Sequence, residues 1–214
     1  HLQWYNISIE VINMEEKNIN TKEKILSTTI ELYGIKGDIT VREICKKAGV
    51  NVASINYHFG SKDNLLKEVE KHYSRLLFNI QNEIIQDDIK EPRQKLMDWA
   101  NVLMEFVLEY PALIMLVTNL VLQDQSYNPE IIDKFIGNIE SKENIQKIIY
   151  SITKIDDEET LNFKYMQLFS GVIGPIIFQM IPNIKDTYKV FMDLNNEEER
   201  KRYIESLVET IVKK

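Results

Sequence analysis

Apolar residues recur at three- and four-residue spacing along most of the chain, which is the pattern of amphipathic helices. The first helix is predicted to end at Gly34 and Gly37, since glycine is a poor helix former. The positions on one face of this helix are Ile25, Thr29, Leu32, Tyr33 and Lys36.

Two short helices are predicted next, at Thr40–Ala48 and at about residues 52–58. Thr40 and Glu43 have the spacing of a capping box, in which each side chain bonds to the other residue's backbone N–H. Gly49 suits the left-handed residue that ends a helix, and Asn51 is a good N-cap for the third helix. The predicted inward positions are Val41, Ile44, Cys45, Ala48, Val52, Ile55 and Phe59, and the outward ones are Ala53, Ser54, Asn56, Tyr57 and His58.

Longer helices are predicted over the rest of the chain. A helix of some 25 residues follows Ser61, another runs from Pro92 to Tyr110, and a third follows Pro111 and ends near Gln123. The next one begins at Asn128–Pro129, bends near 137–141 and ends near Ile152. The last two are predicted at about 157–180 and, capped by Asn195, at about 196–212, with a short helical turn after Pro182 between them. No strand pattern is found, so the predicted fold class is all-α.

The composition narrows the class of protein. Hydrophobic residues make up 44% and charged residues 28% of the 214 positions, which is the balance of a globular chain. Cys45 is the only cysteine, so a disulfide within the chain is impossible and a reducing, cytoplasmic location is expected. The net charge of −7 is uneven: residues 14–72 carry ten basic and nine acidic side chains, and residues 73–214 carry sixteen and twenty-three. A near-neutral N-terminal part is compatible with nucleic-acid binding.

Several classes of protein find little support in the sequence. Twenty uncharged residues lie between Lys164 and Lys185, but polar residues, two glycines and two prolines interrupt them, so a buried helix is favoured over a membrane span. Motifs for nucleotide, metal or nucleophilic chemistry are missing, so we predict no enzyme, cofactor or metal site. Residues 1–13, HLQWYNISIEVIN, are predicted to be an extension outside the fold, and whether they are native is left open.

The two short helices joined at Ala48-Gly49-Val50 predict a helix-turn-helix, because the second helix turns small and hydrogen-bonding side chains outward. Asn56 suits an adenine edge, and Tyr57, His58 and Lys62 suit phosphates. The run TVREICKKAGVNVASINYHFGSKDNLL over 40–66 resembles the tetracycline-repressor (TetR) family, and the likeness extends over roughly residues 20–70. The loop before Thr40 looks shorter than usual, and Asn56 replaces a frequent aromatic residue.

This resemblance implies a DNA-binding domain over 14–66 and a ligand-binding and dimerisation domain over 67–214. It implies a homodimeric repressor that binds a pseudo-palindromic operator and is released from it by a small molecule. The last two long helices of each chain are implied to form a four-helix bundle with those of the partner. The alternative is a helix-turn-helix protein whose C-terminal domain is a protein-interaction module without a small-molecule inducer. The DNA contacts that the resemblance implies are Thr40, Arg42, Val52, Ala53, Ser54, Asn56, Tyr57, His58 and Lys62.

Candidate ligand-pocket residues follow from the places where helices enclose the family's pocket, combined with aromatic, methionine and single polar side chains. Without a pair of basic residues among them, a largely apolar or aromatic ligand is favoured over an anionic one. The predicted set is Trp99, Leu103, Phe106, Tyr110, Met115, Asn119, Phe135, Phe163, Met166, Gln167 and Ser170.

Overall fold

A computed structural model describes residues 21–137, 139–180 and 192–213. Helices and their connecting turns make up this part of the chain, and it contains no strand, in agreement with the predicted all-α class. The helices are α1 Thr21–Lys36, α2 Val41–Ala48, α3 Val52–Phe59, α4 Lys62–Gln86, α5 Pro92–Glu109, α6 Ala112–Gln123, α7 Glu130–Ile132 with a π-helical turn Asp133–Gly137, α8 Ile139–Thr153, α9 Glu158–Met180 and α10 Glu197–Ile211.

The helices follow the sequence signals closely, and three details differ. Helix α1 continues through Gly34 and ends only at Lys36, before Gly37 takes a φ of +72°. Asn196 caps α10, rather than the predicted Asn195, and its side-chain oxygen accepts from two backbone N–H groups. Val52 is 46% exposed instead of facing inward. The predicted helical turn after Pro182 and the extension 1–13 lie outside the described residues.

The chain forms two compact units. In its described part the first contains residues 21–72 and 112–129, and the second contains 73–111 and the residues from Glu130 onward. In the first unit, α1 contacts α2, α3 and α6. Its apolar core is built from the inward stripes of these helices and the start of α4, and includes Ile25, Leu32, Ile44, Ala48, Ile55, Leu65, Val69, Leu113 and Leu116.

Helix α6 belongs to the first unit, although it follows α5 in sequence. A Cβ added at Gly37 would lie 2.9 Å from the Ala112 Cβ, so the loop after α1 and the start of α6 are in close contact. The predicted boundary at residue 66 therefore differs from this division into compact units. Helical periodicity shows which face of α6 is buried, but it does not show which neighbour covers that face.

The second unit is a helical bundle in which α5 contacts α8, α9 and α10. Arg200 is 3% exposed, and it donates to the Leu194 carbonyl at 2.8 Å, to Asn101 Oδ1 at 3.3 Å and to Glu105 Oε1 at 2.5 Å. Arg200 lies on α10 and its partners Asn101 and Glu105 lie one turn apart on α5, on the same helix face. The network therefore joins α10 to α5.

Helices α9 and α10 approach each other closely at Gly171. A Cβ built there would lie 2.6 Å from a Leu207 methyl carbon, and the Tyr203 hydroxyl donates to the Gly171 carbonyl at 2.6 Å. No single helix within 21–137, 139–180 and 192–213 is long and apolar enough to cross a membrane.

Candidate nucleic-acid interface

Side-chain caps hold α2 and α3 in place. The predicted capping box is confirmed: Thr40 Oγ1 accepts from the Glu43 N–H at 3.2 Å, and the Thr40 N–H donates to Glu43 Oε2 at 2.8 Å. Gly49 ends α2 at a φ of +63°, which a residue with a Cβ rarely adopts. Asn51 caps α3 by accepting from the Ser54 N–H at 2.9 Å. The ends of the two short helices are therefore held by local interactions encoded within residues 40–54.

The outward face of α3 carries small and polar side chains. Ile55 and Phe59 are buried and anchor the helix, whereas Ala53 and Asn56 are exposed and Tyr57 is 85% exposed. Ser54 and His58 are half-buried, and the His58 ring packs edge-on against Tyr57 with centroids 4.9 Å apart. Such a face allows a helix to enter the major groove and to hydrogen-bond base edges there.

The structure limits the chemistry of Thr40, a predicted DNA contact. Its hydroxyl proton is donated to Glu43 Oε2 at 2.8 Å, and its backbone N–H bonds to the same oxygen. Phosphate oxygens accept hydrogen bonds, so Thr40 in this conformation has no proton to give them. Arg42 is exposed on α2 and Lys62 is half-buried at the first position of α4, so both keep cationic groups at the surface.

Two lysines on or beside α2 are absent from the predicted DNA contacts. Lys46 is exposed in the last turn of α2. The Lys24 ammonium lies beside the turn between α2 and α3, 3.8 Å from where a Cβ on Gly49 would be. The sequence does not indicate that Lys24 lies there, because the packing of α1 against the turn depends on the tertiary fold and not on residue spacing along the chain.

The N-terminal part of α4 is tied to the segment after α6. Lys67 Nζ lies 2.8 Å from Asp124 Oδ2 and 4.7 Å from the centre of the Tyr127 ring. The Tyr127 hydroxyl donates to Glu70 Oε2 at 2.7 Å, and Glu70 is fully buried. Bonds from Lys67 and Ser126 lower the pKa of Asp124 to about 2. These contacts fix the helix that begins at Lys62.

The predicted pocket residues fall into separate groups. Trp99, Leu103, Phe106 and Phe135 are buried within the second unit, and Tyr110 is half-buried there. Phe106 and Tyr110 pack against Tyr73, with ring centroids 6.3 and 4.7 Å from the Tyr73 ring. In contrast, Met115 and Asn119 belong to the first unit and are exposed on α6.

The four predicted pocket residues of α9 point outward. Phe163 is 57% and Met166 is 44% exposed, and Gln167 and Ser170 are exposed as well. Their spacing of three and four residues places them on one helix face, which ordinary helical periodicity allows for either a core or a surface stripe. In the single chain this face is a surface, so these residues lie apart from the buried aromatic side chains.

A small cavity lies next to two of the buried pocket residues, with room for about one water molecule. It is lined by Trp99 and Phe135, together with Phe78, Gln81, Asn82, Ile85, Ser141 and Tyr165. Gln81 Nε2 donates to the Trp99 carbonyl at 3.3 Å, and the Tyr165 hydroxyl donates to the Phe135 carbonyl. Burial raises the pKa of Tyr165 to about 12, so its hydroxyl stays protonated as a donor. The predicted ligand-pocket residues include none of the polar residues Gln81, Asn82, Ser141 and Tyr165 that line this cavity.

Comparisons with known proteins agree with this architecture. Residues 25–69 match the family model described as bacterial regulatory proteins, tetR family. A curated relative, the probable HTH-type transcriptional regulator YttP of Bacillus subtilis (strain 168), is 40% identical over 65 residues. That match covers 28% of this chain and 31% of the relative, so the chain matches about a third of the relative's length.

Solved structures show the same fold over nearly the whole chain. The hemolysin II transcriptional regulator HlyIIR is 22% identical with a TM-score of 0.54, covering 91% of this chain and 98% of that one. A putative TetR-family regulator from Mesorhizobium loti MAFF303099 is 15% identical with a TM-score of 0.63, covering 90% and 95%. All three proteins are described as transcriptional regulators. Residues 25–69 are therefore similar to the tetR family of bacterial regulatory proteins, and the chain shares its fold with these solved structures.

Proposed function

We propose that this chain is a sequence-specific DNA-binding transcriptional regulator that acts in the cytoplasm. The observation that carries the proposal is the exposed polar face of α3, held by the Asn51 cap within the segment that matches the tetR family. Val52, Ala53 and Asn56 lie where a major-groove helix needs small or hydrogen-bonding groups. Arg42 and Lys62 supply cations for the phosphates on either side.

The test separates base reading from phosphate binding. Binding sites are selected from randomised DNA at a stated salt concentration, and affinities are then measured for Asn56→Ala and Lys62→Ala. We expect Asn56→Ala to relax the base preference at one position of each half-site. Lys62→Ala is expected to weaken binding evenly across sequences and to lower the salt slope by about 1.

A charge-matched control is Lys147→Ala, which removes an exposed cation from α8 in the second unit. It should leave both the base preference and the salt slope unchanged. Failure of the unmodified protein to enrich any sequence would contradict the proposed function. If Asn56→Ala weakened binding to every sequence equally, the base-reading role of Asn56 would be contradicted, but the proposed function would not.

The regulator is proposed to be a homodimer that uses α9 and α10. Phe163, Met166, Ser170 and Ile177 form an exposed, largely apolar face on α9, and a second copy of this helix would cover it. Two α3 helices about one DNA turn apart would then read a pseudo-palindrome. We expect Phe163→Arg to shift sedimentation towards a monomer and to abolish binding to the palindrome. An unchanged sedimentation coefficient would place the interface elsewhere.

The regulator is further proposed to be a repressor that a small, largely apolar or aromatic ligand releases from DNA. The buried aromatic side chains Tyr73, Trp99, Phe106 and Phe135 support this ligand class. The ligand must bind better to a state that spaces the α3 helices unfavourably, because it shifts the equilibrium only by its differential affinity. A thermal-shift screen tests it: a compound that stabilises the protein and releases DNA supports a ligand. If compounds consistently fail and a protein partner releases DNA instead, the interaction-module alternative is favoured.

A further inference from the structure

The hydrogen bonds between Asn51 and Ser54 fix the direction in which the Ser54 hydroxyl proton points. Asn51 Oδ1 lies 2.9 Å from the Ser54 backbone nitrogen and 3.1 Å from Ser54 Oγ. A backbone N–H can only donate, so the Asn51 atom that faces it is the amide oxygen and not the nitrogen. That oxygen carries no proton, and the Ser54 hydroxyl is therefore the donor in the second bond.

This arrangement makes Ser54 an acceptor towards the outside. A serine hydroxyl has one proton and two lone pairs, and the proton is given to Asn51. Ser54 is half-buried on α3, between the exposed Ala53 and the exposed Asn56, so its oxygen lies beside the surface proposed to enter the groove. A phosphate needs a donor, which Ser54 in this state does not offer.

We propose that Ser54 is a specificity-determining residue that accepts a hydrogen bond from the exocyclic amino group of adenine or cytosine. This inference rests on the proposed function. In the major groove adenine N6 and cytosine N4 donate, whereas guanine and thymine present only accepting atoms. At the base that Ser54 contacts, the contacted strand therefore carries adenine or cytosine.

Ser54 differs in this respect from Asn56, the other polar residue of the exposed face. The amide of Asn56 carries both donors and an acceptor and is exposed, so it reads a base by choosing its own orientation. The polarity of Ser54 is set before DNA binds, by the same oxygen that caps the helix. Asn51 thus acts as a positioning residue for Ser54.

The experiment is a selection of binding sites from randomised DNA by the full chain, repeated for each variant at one salt concentration. The unmodified protein is expected to restrict one position of each half-site to adenine or cytosine. Ser54→Ala should lose that restriction and keep the other positions of the site. Its affinity for the original site should fall about three- to tenfold, as expected for one hydrogen bond.

Two variants of Asn51 test the direction of the Ser54 hydroxyl proton while Ser54 itself is kept. Asn51→Asp keeps an accepting oxygen, so the position should stay restricted to adenine or cytosine even if the added charge weakens binding overall. Asn51→Ala frees the Ser54 proton, so guanine and thymine should become acceptable at the same position. Circular dichroism verifies that each variant folds.

Ser151→Ala provides the matched control, since Ser151 is exposed on α8 in the second unit and its hydroxyl donates to the Ile148 carbonyl at 2.7 Å. Its selected sites should equal those of the unmodified protein. The inference is overturned if Ser54→Ala selects the same sites as the unmodified protein, or if Asn51→Asp and Asn51→Ala select the same bases. If the unmodified protein selects no sequence, the proposed function fails and this inference fails with it.

Discussion

The two units of the molecule are stabilised by contacts of different sequence separation: short-range in the first unit and long-range in the second. In the first unit, α2 and α3 have eight residues each, and their N-terminal ends are held by hydrogen bonds between residues three apart, Thr40 with Glu43 and Asn51 with Ser54. In the second unit, Arg200 bonds to Asn101 and Glu105, almost a hundred residues away. Short helices gain little from length, so their caps matter more than those of the long helices around them.

This difference explains where sequence similarity persists. The family model ends at residue 69, whereas the fold is shared over 90% of the chain with structures that are 15% identical. A cap or a left-handed glycine needs particular residue types at fixed spacing, so it leaves a recognisable motif. A packed bundle needs only apolar volume at helical spacing, which many sequences supply.

The largest expected effect concerns the second unit. Arg200→Met removes a guanidinium that is almost fully buried and leaves the Leu194 carbonyl and Asn101 without their donor. We expect the free energy of unfolding to fall by about 3 kcal/mol, measured by chemical denaturation. The neighbouring variant Lys201→Met breaks the exposed pair with Glu197 and should leave the free energy of unfolding nearly unchanged, because solvent screens exposed ion pairs. Similar losses in both variants would contradict the importance of the buried network.

An intermediate effect is expected at the cap of α2. Thr40→Ala removes the acceptor of the Glu43 N–H, which should lower the free energy of unfolding by about 1 kcal/mol and speed hydrogen exchange at that amide. Thr210→Ala makes the same substitution inside α10, where the hydroxyl bonds only one turn back, and serves as the control. If exchange at Glu43 is unchanged in Thr40→Ala, the box does not hold this helix.

The smallest expected effect is the titration of Asp124. Its pKa is lowered to about 2 from the ordinary 3.8, first by the bond from Lys67 and then by those from Ser126. Because the folded-state value is the lower one, this carboxylate stabilises the fold above pH 4, and the contribution is lost as the pH falls towards 2. In a carbon-detected NMR titration, Lys67→Met should raise the pKa of Asp124. The lowered pKa of Asp157, which accepts from Thr160, should remain as it is.

The sequence predicts the helices well and the burial of individual side chains poorly, for related reasons. Capping residues, prolines and glycines mark helix ends locally, so the predicted ends agree with the structure except near Gly34 and Asn195. Val52, predicted to face inward, is exposed. The break at Asp133–Gly137 also lies beside the predicted bend. Periodicity identified the α9 stripe of Phe163, Met166 and Gln167, but the same spacing fits a cavity wall and a surface. Tyr165 and Gln81 were missed, because burial of single polar groups depends on distant neighbours.

The place of α6 in the first unit sets a rule for building chimeric regulators. The chain leaves this unit after His72 and returns to it at Ala112, where Gly37 and Ala112 touch and Asp124 meets Lys67. A transplant that carries only the first seventy residues would therefore leave part of its own core uncovered. Grafting the first unit onto another protein requires two separate segments, 21–72 and 112–129, inserted in register.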